Sequence, residues 1–64
     1  MKRRDLVRHI EQHGCVLSRE GAKHSIYKNP QSEEWASVAR HAEIWPKMAR
    51  KICKQLDIPA PRKR

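Results

Sequence analysis

The sequence predicts an α+β fold in the order helix, three antiparallel strands, helix, with both helices covering one face of the sheet. Three observations lead there. Apolar residues recur at helical spacing near both ends of the chain. Short β-branched and aromatic runs lie between them, separated by glycine, asparagine and proline. The connections are short, which favours a meander of neighbouring strands.

The first helix is expected over Arg3 to His13. Leu6, Val7 and Ile10 form a narrow apolar stripe, and Arg4, Arg8 and Glu11 lie away from it. Gly14 suits the left-handed stop that commonly ends a helix. Arg3 and Arg4 stand against the helix dipole, which hints at a use for these charges beyond helix stability; a solvated helix start is the simpler account. Cys15-Val16-Leu17-Ser18-Arg19 reads as the first strand, and Glu20 to Lys23 as a turn in which Gly21 can take a positive φ. His24 to Lys28 returns as the second strand, closed by Asn29-Pro30, and Gln31 to Glu34 reads as a polar loop. Trp35 to Ala39 is the third strand. Pro46 suits the first position of a second helix running to about Leu56. Met48, Ile52 and Leu56, with Ala49 and Cys53 beside them, are expected to face the core; Lys47, Arg50, Lys51 and Lys54 form the opposite, cationic face. The layout is that of double-stranded-RNA-binding domains, a likeness that by itself carries no function.

Residues 1–58 are read as one small domain and residues 59–64 as a proline-containing basic tail, in which Arg62-Lys63-Arg64 is mobile. So short a chain buries only about 60% of its unfolded surface, so a shallow surface site is expected in place of a deep one. Fifteen Lys and Arg against seven Asp and Glu give a net charge of +8, a surplus that draws polyanions or an acidic partner. No stretch approaches the roughly 20 apolar residues of a membrane span, and no apolar run follows the basic start as in a signal peptide. A soluble cytoplasmic protein without membrane contact is expected. Cys15 and Cys53 lack Cys-x-x-Cys spacing and are read as two reduced thiols, with no structural zinc and no cofactor.

Histidine is the side chain best suited to proton transfer near neutral pH. His9 and His13 share a helix face but lack a convincing third metal ligand, and read as solvated. His24 follows a glycine turn, opens a strand, and has Lys23 and Arg19 nearby in sequence. There it could act as general base on a ribose 2′-hydroxyl or general acid to the leaving oxygen; an ordinary surface histidine is the alternative. His41, after Arg40, is a second candidate acid or base, a phosphate contact, or a loop histidine bonding the backbone. Arg19, Lys23, Arg40, the stripe of Lys47, Arg50, Lys51 and Lys54, and the tail could together track a phosphate backbone. Trp35, Tyr27 and Trp45 could stack on bases, although at least one aromatic is needed for the core.

Several blocks of the chain resemble the HicA (YcfA-like) toxin family of type II toxin–antitoxin systems. Lys2 to Leu6 and Gly14 to Leu17 resemble that family's first helix and strand, and Gly21 to Pro30 its glycine-to-histidine signature. Val38-Ala39-Arg40-His41-Ala42-Glu43-Ile44 is similar to its Val-Pro-Arg-His block, and Met48 to Leu56 to its closing helix. The resemblance implies a ribosome-independent mRNA interferase with a double-stranded-RNA-binding-like fold and His24 as the catalytic histidine, and cleavage independent of a metal ion is the reaction expected of it. It also implies a HicB-type antitoxin that covers the active site and supplies any DNA contact. Ala22 and Lys23 stand where small residues are frequent, Ala39 replaces a common proline, and a usual glycine is missing around Trp45-Pro46-Lys47. A non-catalytic RNA-binding module, or a degenerate toxin kept for antitoxin binding, is the alternative to a nuclease.

Overall fold

The computed structural model describes residues 1–61. The expected mobile segment Arg62-Lys63-Arg64 lies outside the described residues. The elements are α1 (Arg3–Gln12), β1 (Val16–Glu20), β2 (His24–Lys28), β3 (Trp35–Ala39) and α2 (Pro46–Gln55). The strands form one antiparallel sheet in the order β1-β2-β3, so the expected α+β layout is the observed one.

The register fixes which side chains meet the helices. Ser25 pairs with Val38 and Tyr27 with Ala36, and all four are buried. They share one sheet face because successive strand residues alternate sides. Against that face pack Leu6 and Ile10 of α1, Ala49, Ile52 and Cys53 of α2, and Leu56 just beyond it, with Cys15 and Ile44 from the connections. His24, Ile26 and Lys28 pair with Ala39, Ser37 and Trp35 on the other face, which no helix of the described chain covers.

Gly14 adopts φ 88° and ends α1, as its position suggested. Gly21 does not take the expected positive φ. Its amide donates instead to the His24 carbonyl at 2.7 Å, and a Cβ there would stand 3.1 Å from that oxygen. Close backbone approach is thus what favours glycine at this position. Met48 is also corrected: it is 51% exposed rather than in the core. At 100° per residue it lies about a quarter-turn from the centre of the face formed by Ala49, Ile52, Cys53 and Leu56. Tyr27 is the aromatic the core requires.

Two polar side chains tie the layers together. Buried Asn29 donates from Nδ2 to the Leu56 carbonyl at the end of α2 (2.8 Å), while its Oδ1 accepts the Gln31 amide (3.0 Å). One residue thereby caps a helix and shapes the β2–β3 turn. Arg3 donates from Nε to the Ala39 carbonyl and from Nη2 to Ser25 Oγ, each at 2.9 Å, joining the start of α1 to β3 and β2. Arg3→Lys keeps the charge but loses this forked geometry. The expected cost is about 1.5–3 kcal/mol in urea unfolding, since hydrogen bonds to charged groups are worth that much.

Cys15 and Cys53 are free and buried, and burial raises both thiol pKa values. Cys53, further disfavoured as a thiolate by neighbouring Cys15, is pushed up to about 11 from an ordinary 9.0. Below that ordinary value the thiol is protonated in both folded and unfolded states, so it contributes no pH dependence. Between 9.0 and about 11 the unfolded chain releases a proton that the folded chain retains, so stability falls as pH rises. Urea titrations across this window should show a steeper loss in the parent protein than in Cys53→Ala, which lacks the titrating group.

Candidate active site

His24 is held by its backbone and left free at its side chain. Its carbonyl accepts the Gly21 amide, its strand partner is the small Ala39, and the Arg40 amide donates to the preceding Lys23 carbonyl at 3.3 Å. The residue is exposed, and the hydrogen bonds among the described residues do not include its imidazole. A ring so placed can meet a ligand without first breaking an internal bond.

A β-bulge decides which charges accompany it. Val16 pairs with Lys28 and Leu17 with Tyr27, but the register then shifts, so that Arg19 opposes Ile26 and Glu20 opposes Ser25. An uninterrupted ladder would put Arg19 opposite Ser25 and Glu20 opposite His24. The extra residue exchanges them, a re-aiming that bulges commonly produce. Arg19 is brought to the open face, diagonal to His24, and Glu20 to the helix side. There Glu20 Oε2 accepts from Ser25 Oγ at 3.3 Å and forms an ion pair with Arg40. Arg3, Glu20 and Arg40 line a small polar groove of ≈ 270 Å³ beside this network.

The candidate residues therefore fall into three groups. His24 and Arg19 share the open face, with exposed Lys23 in the turn leading to His24. Arg40 joins the Glu20 network on the other side, and His41 is exposed in the connection that follows. Lys47, Arg50, Lys51 and Lys54 are exposed on α2, opposite the buried Ala49, Ile52 and Cys53. That stripe lies on the helix layer, away from His24.

Sequence reasoning missed Glu20 and Ser25 as partners, because their contacts are made across strands. The function of Arg3 had one visible trace: a cation placed against the helix dipole. His9 and His13 lie with ring centroids 4.5 Å apart; His9 Nε2 meets the Pro59 carbonyl at 2.7 Å, and His13 Nδ1 meets the His9 carbonyl at 2.9 Å. Among the described residues no three His, Cys, Asp or Glu side chains converge as a metal site requires. No helix among them is long and apolar enough to cross a membrane.

No curated protein and no solved structure matches the chain. A family model described as the HicA toxin of bacterial toxin–antitoxin matches residues 3–58. That span runs from the first residue of α1 to Ile58, through every element of the sheet and both helices. The chain belongs to the HicA toxin family of bacterial toxin–antitoxin systems.

Proposed function

We propose that this chain is the toxin of a type II toxin–antitoxin pair and acts as a ribosome-independent endoribonuclease on mRNA in the cytoplasm. The observation that carries the reading is the exposed His24 at the start of β2, with Arg19 placed diagonally on the same face by the bulge. Arg19 and Lys23 attract the phosphodiester, and His24 transfers the proton, as general base on the 2′-hydroxyl or general acid to the leaving oxygen. A cation beside the reacting phosphate also offsets charge that develops in the transition state. No metal ion is needed for these roles. Arg40, His41 and the α2 cations Lys47, Arg50, Lys51 and Lys54 contact the rest of the RNA.

The same face suits a HicB-type antitoxin. Val16 and Trp35, 50% and 61% exposed, lie on it together with half-buried Ile26. A partner that buries these apolar groups would cover His24 with the same contacts. DNA is reached only through that partner.

Incubating the purified protein with mRNA in chelator tests the proposal. The parent protein is expected to cleave, and His24→Ala to bind RNA without cleaving it. Arg19→Ala should lose about 10²-fold in rate, typical of removing one group that stabilises transition-state charge. Undiminished cleavage by His24→Ala would remove the assignment. RNA binding without cleavage by the parent protein would favour a binding module or a degenerate toxin instead.

A further inference from the structure

We propose that the groove lined by Trp45, Lys47, Met48 and Lys51 is a second RNA subsite, which holds one unpaired base against the Trp45 indole. It rests on the reading of this chain as an RNA-directed protein and adds a site away from His24. The groove has a volume of ≈ 410 Å³.

The position of Trp45 is unusual for its spacing. Residues 45, 49, 52 and 56 would share one stripe of a continuous helix, and the last three are buried. Pro46 prevents that continuation. It stands at the helix start and disfavours helical backbone in the residue before it, and Trp45 is extended at φ −65°, ψ 142°. The indole is consequently 79% exposed. Its backbone is nevertheless fixed, since Ile44 before it is buried and its carbonyl accepts the Ala49 amide at 2.9 Å. A solvent-facing aromatic side chain on an anchored backbone is the result.

Charge and area identify the occupant. Lys47 and Lys51 line the groove, and α2 contains no acidic residue. A ligand there must carry negative charge close to an apolar surface. Past Met48 the outward residues of α2 are Arg50, Lys51, Lys54 and Gln55. A protein partner centred here would thus find two apolar side chains ringed by cations, little for the apolar centre of a stable interface. Single-stranded RNA requires only one aromatic plane per base, with cations following its phosphates. The lysines beside Trp45 and the stripe beyond them supply that pattern.

The test uses the full chain carrying His24→Ala, to prevent cleavage, and Trp35→Phe, so that Trp45 is the sole indole. Titration with single-stranded oligouridylate should quench its fluorescence, whereas duplex RNA should bind with little quenching. Read by the fluorescence anisotropy of an end-labelled oligouridylate, which needs no indole, adding Trp45→Ala should weaken binding about tenfold, within the range for loss of one stacked base, and Trp45→Phe should retain most of the affinity. Replacing Lys47 and Lys51 with Gln should reduce the slope of log affinity against log salt by roughly 0.7 for each phosphate no longer neutralised. Unchanged affinity in the Trp45→Ala variant would overturn the proposal and leave the groove as a protein-docking surface. Cleavage by the parent protein is scored separately. Quenching without cleavage keeps the subsite and rejects the nuclease, while cleavage with unchanged Trp45→Ala binding does the reverse.

Discussion

A three-stranded sheet has two faces, and the described residues supply helices for only one of them. Leu6 and Ile10 of α1 and Ala49, Ile52 and Cys53 of α2 all need apolar cover. The sheet provides it through Tyr27, Ala36 and Val38, which alternation places on a single side. In a domain this small the hydrophobic effect cannot cover both faces. The uncovered side must be compatible with water, so His24, Lys28 and Ser37 occupy it together with a few tolerated apolar groups. Exposure of His24 is therefore a consequence of the architecture: the proposed catalytic residue belongs to the open face, held by the ladder and needing no enclosing pocket.

The second constraint is the register of β1. Glu20 and Arg19 are neighbours of opposite sign, and alternation must send one to each face. With the bulge, the carboxylate goes to the helix side, where Ser25 and Arg40 satisfy it, and the guanidinium goes to the side of His24. Without it, a carboxylate would stand opposite the imidazole and repel an approaching phosphate. A local irregularity in one edge strand thus sets the sign of the field at the proposed catalytic residue, within a molecule whose net charge is already +8.

Local signals made most of the fold legible. The Leu6–Ile10 spacing, Gly14, the strand from His24 to Lys28 and Pro46 each act within a few residues, and each structural element follows. The exposure of His24 was legible for the same reason, from a turn leading into a strand. What escaped depends on contacts distant in sequence. Asn29 caps Leu56, Arg3 reaches Ala39 and Ser25, and Arg40 meets Glu20. Nothing local marks the bulge, since the strand from Val16 to Glu20 contains no glycine. Met48 was misplaced because an i, i+4, i+8 series identifies a stripe without fixing the centre of the buried arc. The core turned out to be centred on Ile52, Cys53 and Leu56.

The open face and the α2 groove are joined by a short path. Ala39, the strand partner of His24, is followed by Arg40, His41 and three more residues before Trp45. Those six residues from Arg40 to Trp45 span at most about 20 Å even when fully extended. On the proposed reading, RNA stacked at Trp45 would approach His24 alongside His41 and Arg40, so the residue between the two sites matters. Arg40 is engaged by Glu20, but both side chains are almost half exposed, at 43% and 48%. Ion pairs of that kind are typically worth about 0–1 kcal/mol and weaken further with salt. A phosphate can therefore compete with the Glu20 carboxylate for Arg40 at little cost, while Glu20 keeps its hydrogen bond from Ser25. The pair holds the guanidinium near the end of β3 and, on the proposed reading, leaves it available to RNA.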